Sequence, residues 1–319
     1  MDSCTRHHWG VTMRGLSDVT VAAAAVFLLA ATACGNEGGP SATSDEASTE
    51  QAGEEGFEED LEEITVEDFD FDPADFSDST NVDNQWHPLK PGTRFVYEGS
   101  TQEEDEVEDH RVVFIVTDLT KVVNGVRAVV GWDRDYSQGK LVESEIIFFA
   151  QDNDGNVWHL GQLREAYDDE EGEFEGSRAW LAGLAGAKAG IMMKAQPRPE
   201  TPAYSQGYAP PPLFWDDHAR VDATGQKTCV PAGCYENVLV IDEFEPPKPG
   251  THQLKYYAPG VGYVRVGFRG DDPERETLEL VELQQLSADA LAEARAEALQ
   301  IEARAYLYGL TPPAEHAPA

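Results

Sequence analysis

The tetrapeptide Trp215-Asp216-Asp217-His218 places two carboxylates beside an imidazole, the side chains that acid–base and metal-dependent hydrolases use. His159 and His252 lie on other predicted strands and could converge on it. The sequence contains no histidine pair at helical spacing and no nucleophile elbow. Half-exposed polar residues at strand ends explain the tetrapeptide without chemistry, which is the preferred interpretation. We assign no catalytic residue and no metal ligand.

Aromatic residues give a second candidate site, because several of them cluster near loops and proline-rich segments. Large β domains that enclose a cavity line it with such residues. Ordinary core packing is the alternative explanation. The predicted ligand-binding residues are Trp158, His159, Tyr204, Tyr208, Trp215, Asp216, Asp217 and His218. They favour a small or apolar ligand, and the sequence indicates no cofactor.

The segment Asp152-Asn153-Asp154-Gly155-Asn156 has the composition of a calcium loop. An EF-hand loop places its glycine sixth and a glutamate twelfth. Here the glycine follows Asp152 by only three residues, and no glutamate stands at the twelfth place. A hairpin turn accounts for the same residues and is the preferred interpretation.

Cys229 and Cys234, in the segment TCVPAGC, are expected to form a disulfide. The turn between them would bring two flanking strands side by side and place the cysteines opposite each other. Outside the cytoplasm the redox environment favours the bridge. A metal site is disfavoured because no second Cys or His pair completes four ligands.

Between Trp86 and Leu286 the pattern is that of an all-β protein. Asn124-Gly125, Asp154-Gly155 and Pro259-Gly260 each separate two apolar, strand-like runs, as hairpin turns do. Roughly ten to twelve strands at this spacing predict one antiparallel meander domain over residues 81–286. An open barrel, a closed barrel and a sandwich all fit this pattern.

Two segments depart from the strand pattern. Residues 183–193, GLAGAKAGIMM, are predicted to be a loop excursion. Ser287 is predicted to cap a C-terminal helix that runs to about Tyr308 and stops at Gly309, because serine is a favoured N-cap and glycine a favoured stop. Residues 310–319 are predicted to be a disordered tail.

The amino terminus has the organisation of an export signal. The apolar run Val19–Ala31 is too short for a membrane-spanning helix, which needs ~20 residues, but fits the core of a signal peptide over residues 1–33. Cys34 follows Ala-Thr-Ala directly, and LLAATAC resembles a lipobox, in which the cysteine is lipidated. Simple secretion after the same cleavage is the alternative. The predicted location is the extracytoplasmic face of the cell membrane, through a lipid on Cys34.

Residues 34–80 are predicted to be the lipidated cysteine followed by an acidic, disordered tether. The segment contains no Lys or Arg and few large apolar residues before Phe69, so it cannot bury enough surface to offset its ordering entropy. Its last part, which contains Phe69, Phe71 and Phe76, could dock as an edge strand. The chain has 60 acidic and 23 basic residues and a net charge of −37, which argues strongly against nucleic acid as a partner.

The segment NQWHPLKPGT, residues 84–93, resembles the entry motif of an uncharacterised family of bacterial secreted proteins and lipoproteins. That motif usually reads Asn-Pro-Tyr-Phe-Pro-Leu-x-Pro-Gly-Thr, so Gln85 and His87 depart from it. The other matching segments are residues 150–161, 190–193, 204–208, 230–233 and 255–264. The family has no assigned activity, so the resemblance implies export and an all-β domain and carries over no catalytic residue.

Three functions remain open at this point. The leading hypothesis is a membrane-anchored, non-catalytic binding or carrier module for a small or apolar ligand. The second is a hydrolase or metal-dependent enzyme that uses Asp216, Asp217 and His218. The third is a structural or interaction protein of the cell envelope, whose protein partner the sequence does not identify. Convergence of His159, His218 and a carboxylate would favour the enzyme.

Overall fold

The structure is a computed structural model and describes residues 66–317, except 68, 104–105, 169–171, 247, 249, 306 and 308. The predicted signal peptide, Cys34 and the predicted tether as far as residue 65 lie outside the described residues. So does Tyr308, near the predicted end of the C-terminal helix.

The described part of the chain contains sixteen strands, a 3₁₀ helix at Pro73–Asp75 and one α-helix, α1, at Ala288–Arg304. The strands are β1 (Val66–Glu67), β2 (Thr93–Glu103), β3 (Glu106–Val123), β4 (Val126–Ser137), β5 (Lys140–Gln151), β6 (Val157–Tyr167), β7 (Phe174–Leu181), β8 (Lys188–Met193), β9 (Ala203–Ser205), β10 (Gly207–Tyr208), β11 (His218–Val230), β12 (Gly233–Phe244), β13 (Thr251–Ala258), β14 (Gly262–Gly270), β15 (Thr277–Gln285) and β16 (Glu315–His316).

One sheet contains two antiparallel meanders, β2 to β6 and β11 to β15. They join where β15 pairs with β2, with Leu280 opposite Tyr97. The predicted all-β class, the antiparallel meander and the C-terminal helix are therefore confirmed. Among the predicted architectures, the structure has the open sheet. Its strand order runs from β1 and β9 at one end to β8 and β10 at the other, and these ends are not paired in a ladder.

The two ends of this open sheet meet at residues 203–208. Strand β9 pairs with β11 at one end, strand β10 pairs with β8 at the other, and only Gln206 separates β9 from β10. At Gly190 of β8, a Cβ atom would lie 2.1 Å from the backbone nitrogen of Gly207 and 2.3 Å from the carbonyl carbon of Gln206. The sheet therefore curls until its ends touch, without a continuous ladder between them.

Helix α1 covers one face of the sheet. The Ser287 hydroxyl accepts a hydrogen bond from the backbone N–H of Ala290, as the sequence predicts for an N-cap. The buried pair Lys121–Glu302 and the pair Glu165–Arg304 tie the helix to β3 and β6. The predicted end near residue 309 is wrong. The helix ends at Arg304, because the backbone of Ala305 is extended.

Two segments predicted to be disordered are ordered in part, and the alternative of a docked edge strand holds for the first, because β1 pairs with β9 at one end of the sheet. From residue 66 the supposed tether packs on the domain, and the rings of Phe69, Phe71 and Phe76 surround Trp158 at centroid distances of 6.3, 5.4 and 5.9 Å. In the supposed tail, β16 pairs with β3, and Glu315 forms an ion pair with Arg127. The ring contacts, the strand pairing and the ion pair offset the entropy lost when these segments become ordered. The acidic composition had indicated that this entropy loss would keep them disordered.

The predicted loop excursion at residues 183–193 is also wrong in its second half. Lys188–Met193 form β8, which pairs with the first half of β6. The turn at Asp152–Asn156 is a hairpin as expected. Asp152 accepts bonds from the backbone of Asp154 and Asn156 at 3.0 and 2.8 Å and from the Trp158 indole at 2.8 Å. Its carboxylate thus stabilises the turn.

Cys229 and Cys234 are bonded to each other across the β11–β12 hairpin, where they occupy opposite register positions. Replacing both with serine should lower the free energy of unfolding by about 2 kcal/mol, because so short a loop restricts the unfolded chain only modestly. Urea unfolding of the double variant and the wild type measures the difference. Two free thiols in denatured, exported Cys34→Ser protein would contradict the bridge.

Candidate functional site

Polar and ionisable side chains occupy the inner face of the sheet, the face opposite α1. Strand alternation places Glu165 towards α1 and therefore Arg164 on the inner face. Glu243 and Lys255 keep exposed side-chain fractions of 12% and 20%, so this face borders space that solvent reaches. The aromatic–imidazole cluster comprises His87, His159, Trp180, Trp215 and Tyr257, which ring contacts join directly or through Phe149, and Tyr204, which interacts electrostatically with Tyr257. The acidic region comprises His110, Asp133, Asp135, Glu143, Glu145, Arg164 and Glu276.

The aromatic–imidazole cluster begins at His87, in the extended segment before β2. The His87 ring contacts the rings of Phe149 and Tyr257 at centroid distances of 5.3 and 6.2 Å. Phe149 in turn contacts His159 at 5.7 Å. These contacts join β5, β6 and β13 across the inner face, because the curled sheet brings strands that are distant in its order to face one another.

Two tryptophans continue the ring chain from His159. Trp180 of β7 and Trp215 of the segment before β11 meet the His159 ring edge-on, at 4.8 and 5.8 Å. The two indole rings are 6.0 Å apart. Gly207 passes beside both, and a Cβ there would lie 2.7 Å from the Trp180 ring. Glycine at this position therefore lets the backbone that joins the sheet ends approach the indoles.

Each of the six side chains in the cluster has a buried polar atom without a hydrogen-bond partner in the described part of the chain. The atoms are Nε2 of His87 and His159, Nε1 of Trp180 and Trp215, and the hydroxyl oxygens of Tyr204 and Tyr257. Five of the residues are themselves buried, and Trp215 is half-buried. Buried polar groups in proteins are nearly always paired, and an unpaired one requires an explanation.

Both histidines of the cluster are neutral. Burial, and then the positive charge of Lys255, lower the pKa of His87 to about 4. Burial also lowers the pKa of His159 to about 4. Nδ1 of His159 lies 3.1 Å from the carbonyl oxygen of Gln206 and donates to it, which leaves Nε2 as an acceptor.

Gln206, between β9 and β10, connects the cluster to a half-buried charge pair. Its carbonyl accepts from His159, and its side-chain amide donates to Glu243 at 3.0 Å. Glu243 forms an ion pair with Lys255 at 2.6 Å. The residue that joins the two ends of the sheet thus also fixes the orientation of His159.

The acidic region holds several carboxyls in the protonated form. Burial, and then the charges of Asp135 and Glu143, raise the pKa of Asp133 to about 8. Burial and the charge of Glu143 raise the pKa of Glu145 well above its ordinary value. Burial opposes the charged form of His110, but its hydrogen bond and charge pairing with Asp135 prevail and raise the pKa of His110 to about 9.

Replacing Asp133 with Asn should remove part of the pH dependence of stability. Between pH 3.8 and about 8 the folded protein holds a proton on Asp133 that the unfolded chain releases, so this stabilisation is lost as the pH rises through that window. The wild type should lose roughly 3–4 kcal/mol relative to Asp133→Asn between pH 5 and pH 8. Urea unfolding at both values measures this. The exposed Asp154→Asn variant is the control, and an equal change in both variants would contradict the assignment.

The structure divides the predicted site residues. His159, Tyr204 and Trp215 belong to the aromatic–imidazole cluster. Trp158 lies on the other face of β6, where it packs against the amino-terminal phenylalanines. Tyr208 lies half-buried on β10, opposite Lys188.

The predicted carboxylate–imidazole tetrapeptide does not assemble into an acid–base site. Asp217 approaches Glu243 and Lys255, and burial, followed by the charges of Glu245 and Glu243, raises the pKa of Asp217 to about 8. The His218 ring stacks on Phe244 instead. Its Nδ1 atom lies 3.8 Å from a carboxylate oxygen of Asp216. Asp217 immediately precedes β11 and lies near Glu243, whereas His218 contacts Phe244, whose side chain lies on the other face of β12. The described contacts of His159 are with Gln206 and aromatic rings, and those of His218 are with Phe244 and Asp216.

Sequence reasoning missed His87, Trp180, Tyr257 and Gln206. A signal existed for His87, because it departs from the phenylalanine of the resembled entry motif. Trp180 and Tyr257 lie inside predicted strands with no mark that distinguishes them from core residues. Over the described residues, no group of three or more His, Cys, Asp or Glu side chains is arranged to hold a metal ion. No helix within the same residues is long and apolar enough to cross a membrane.

No protein-family model and no curated protein matches this sequence. Two solved structures are similar to the chain. One, from Bacteroides fragilis NCTC 9343, is provisionally described as an exported protein with a YmcC-like fold. Its sequence is 13% identical, and the alignment covers 63% of this chain and 99% of that chain, with a TM-score of 0.37. The other is provisionally described as a lipoprotein from Parabacteroides distasonis ATCC 8503. It is 14% identical, with the same coverage of both chains and a TM-score of 0.34. Likenesses this distant assign neither function nor ligand.

Proposed function

We propose that this protein is an exported, lipid-anchored binding protein that holds a small polar molecule in the aromatic–imidazole cluster. The observation that supports the proposal is the set of six polar atoms, buried and without partners among the described residues. Leaving a buried donor or acceptor unsatisfied costs about 1–3 kcal/mol per group, so each of these six atoms favours a state in which it is paired. A bound molecule or ordered water that pairs with them removes that cost.

The polarity of the cluster revises the expected ligand. The sequence favoured a small or apolar molecule, because the candidate residues were mostly aromatic. The imidazole, indole and phenol groups of the cluster each carry a buried polar atom without a partner among the described residues. An apolar ligand would leave these atoms unpaired, so a polar ligand fits better.

The hydrolase hypothesis has less support than the binding hypothesis. A general acid and base must reach the same reacting atom, and Asp217, just before β11, lies near Glu243 while His218 stacks on Phe244. The histidines of the cluster stay neutral and lack a carboxylate hydrogen-bonded to either ring in the described residues. The arrangement suits hydrogen bonding to a ligand more than proton transfer.

Native mass spectrometry of the full-length Cys34→Ser protein tests the binding proposal. We expect a co-purified small molecule, and we expect Trp215→Ala to lower its occupancy at least tenfold, because truncating a central aromatic contact typically costs ~2–4 kcal/mol of binding. His218→Gln is the matched control, three residues away and outside the cluster. Occupancy unchanged in Trp215→Ala, or equally reduced in His218→Gln, would contradict the proposal.

The lipid anchor is tested separately on intact cells. Wild-type protein should fractionate with membranes, and Cys34→Ser should appear in the soluble fraction with an unchanged unfolding curve. A lipid on one thioether-linked cysteine adds apolar surface that water excludes, and this drives the partition. Wild-type protein that is soluble and begins at an unmodified Cys34 would show simple secretion instead.

A further inference from the structure

Resting on the binding site proposed above, we infer that residues 207–215 form a lid over the aromatic–imidazole cluster. Movement of this lid away from β8 exposes His159 and Trp180 to a ligand. Three features of the lid support this: it seals the cluster, it packs on the domain through a small apolar cluster of its own, and its two ends meet at a fixed base.

With the lid closed, the polar atoms of the cluster are sealed from solvent. Nε2 of His159 and Nε1 of Trp180 are buried and have no partner among the described residues. Trp215, which belongs to the lid, contacts the His159 and Trp180 rings at centroid distances of 5.8 and 6.0 Å. At Gly207, the first residue of the lid, a Cβ would lie 2.7 Å from the Trp180 ring. A ligand can therefore pair with these atoms only after the lid moves.

The lid packs on the domain through an apolar cluster that is separate from the main hydrophobic core of the described residues. Its members are Trp180, Ala187, Ala209, Leu213 and Trp215. Two residues of the lid, Gly207 and Tyr208 of β10, also pair with β8. Phe214 keeps 52% of its surface exposed. Segments with small apolar contacts open locally at a lower free energy than the whole domain unfolds.

The two ends of the lid meet at a fixed base. The backbone N–H of Gln206 donates to the carbonyl of Asp217 at 2.7 Å, and the Gln206 side-chain amide donates to Glu243 at 3.0 Å. The Gln206 carbonyl accepts from Nδ1 of His159. These bonds lie outside residues 207–215, so the His159 ring keeps its orientation when the lid moves.

The lid itself is a closed loop. The backbone N–H groups of Ala209 and Trp215 each donate to the carbonyl of the other residue, at 2.8 and 3.0 Å. Three consecutive prolines, residues 210–212, restrict the backbone between them, because the proline ring fixes φ. Gly207, at φ +141°, joins the loop to the base in a conformation that favours glycine. The loop can thus move about its base as one unit.

The test measures how fast diethyl pyrocarbonate, which modifies neutral imidazole, reacts with His159 in full-length Cys34→Ser protein. Peptide mass spectrometry measures each histidine separately. His87 is the comparison, because it is as buried as His159, with 6% and 4% of their surfaces exposed, but lies outside the lid. His159 should react at least about tenfold faster than His87. Low urea concentrations should leave the His159 rate unchanged, because a local opening exposes little surface.

Two neighbouring residues test the apolar contact that holds the lid closed. Leu213→Ala removes packing on the small apolar cluster and should speed the modification of His159 about 5- to 20-fold, since truncating a buried leucine weakens packing. Phe214→Ala changes an exposed side chain of the same loop and should leave the rate unchanged.

A reversible cross-link tests the direction of the movement. Lys188 of β8 and Tyr208 of β10 occupy opposite register positions, so Lys188→Cys with Tyr208→Cys places two thiols within reach of a disulfide. The oxidised protein should modify His159 at least about tenfold more slowly than the matched Lys188→Ser, Tyr208→Ser protein, with the His87 rate unchanged. If the cysteine protein does not fold, Leu213→Ala and Phe214→Ala provide the measurement.

The outcomes separate the lid from the binding site. Equal His159 rates in the cross-linked and serine proteins, or His159 and His87 rates that rise together in urea, would overturn the lid whatever molecule co-purifies. A cross-link that slows His159, together with no co-purified molecule in native mass spectrometry, would support the lid and overturn the binding proposal.

Discussion

Replacing Glu302 with Leu is expected to lower the free energy of unfolding by about 3–5 kcal/mol, because it leaves the Lys121 ammonium buried without its partner. The two side chains keep only 3% and 4% of their surface exposed and approach to 2.6 Å. Lys121 also donates to the carbonyl of Pro312, and Glu302 also accepts from the backbone of Ala314. One buried pair therefore ties β3, α1 and the carboxy-terminal segment together.

A double variant separates the buried charge from the loss of packing. Lys121→Met with Glu302→Leu removes both charges and should recover at least half of the lost stability, since apolar pairs often replace buried ion pairs without penalty. Glu297→Leu, an exposed position on the same helix, is the control and should change stability by less than ~0.5 kcal/mol. Urea unfolding measures all three. A Glu302→Leu protein as stable as Glu297→Leu would show that the pair contributes nothing.

Replacing Gly190 with Ala should destabilise the protein by about 3 kcal/mol or more, since the added methyl group collides with backbone and not with a movable side chain. The new Cβ would lie 2.1 Å from the backbone nitrogen of Gly207 and 2.6 Å from the carbonyl oxygen of Ser205. To relieve the clash, β8 must separate from the segment that joins the two ends of the sheet. The same movement would shift Gln206, and with it the carbonyl that orients His159.

The matched control for this change is Gly267→Ala in β14. Gly267 also lies within a strand with ordinary backbone angles, and a Cβ there meets no atom within 4 Å. Its effect should stay within ~0.5 kcal/mol. Equilibrium unfolding gives the stabilities, and native mass spectrometry gives the ligand occupancy of the Gly190→Ala protein that does fold. Equal stabilities for the two variants would refute the close approach of the sheet ends.

Local signals in the sequence predicted the fold where the physics is local. Asn124-Gly125 adopts positive φ at both positions and turns β3 into β4, as that dipeptide favours. Ser287 caps α1 through a bond that is also local, between its hydroxyl and the backbone N–H of Ala290. Strand β8 escaped prediction because KAGIMM has two small residues and little alternation, and its pairing with β6 depends on residues that are distant in sequence.

The candidate site was harder to predict. The alternation of side chains along a strand defines two faces of the sheet, but it does not show which face is enclosed. In β5, Ile146 and Phe148 lie towards α1, while Glu143 and Glu145 lie on the inner face with raised pKa values caused mainly by burial. A sequence reader assigns such glutamates to solvent. The curl of the sheet, whose ends meet at residues 190 and 207, depends on contacts between residues far apart in the chain, and the sequence does not show it.

The pairing of β15 with β2 has a consequence for the order of folding. Thr277 and Ser100 are neighbours across that ladder, although 177 residues separate them in the chain. Because the chain emerges from its amino end, both from the ribosome and during the proposed export, β2 meets its second partner only after 177 further residues have emerged. During that interval one edge of the first meander has unpaired backbone groups, which makes non-native strand pairing the main hazard. Conditions that slow release of the last third of the chain should therefore raise aggregation more than conditions that slow the first third.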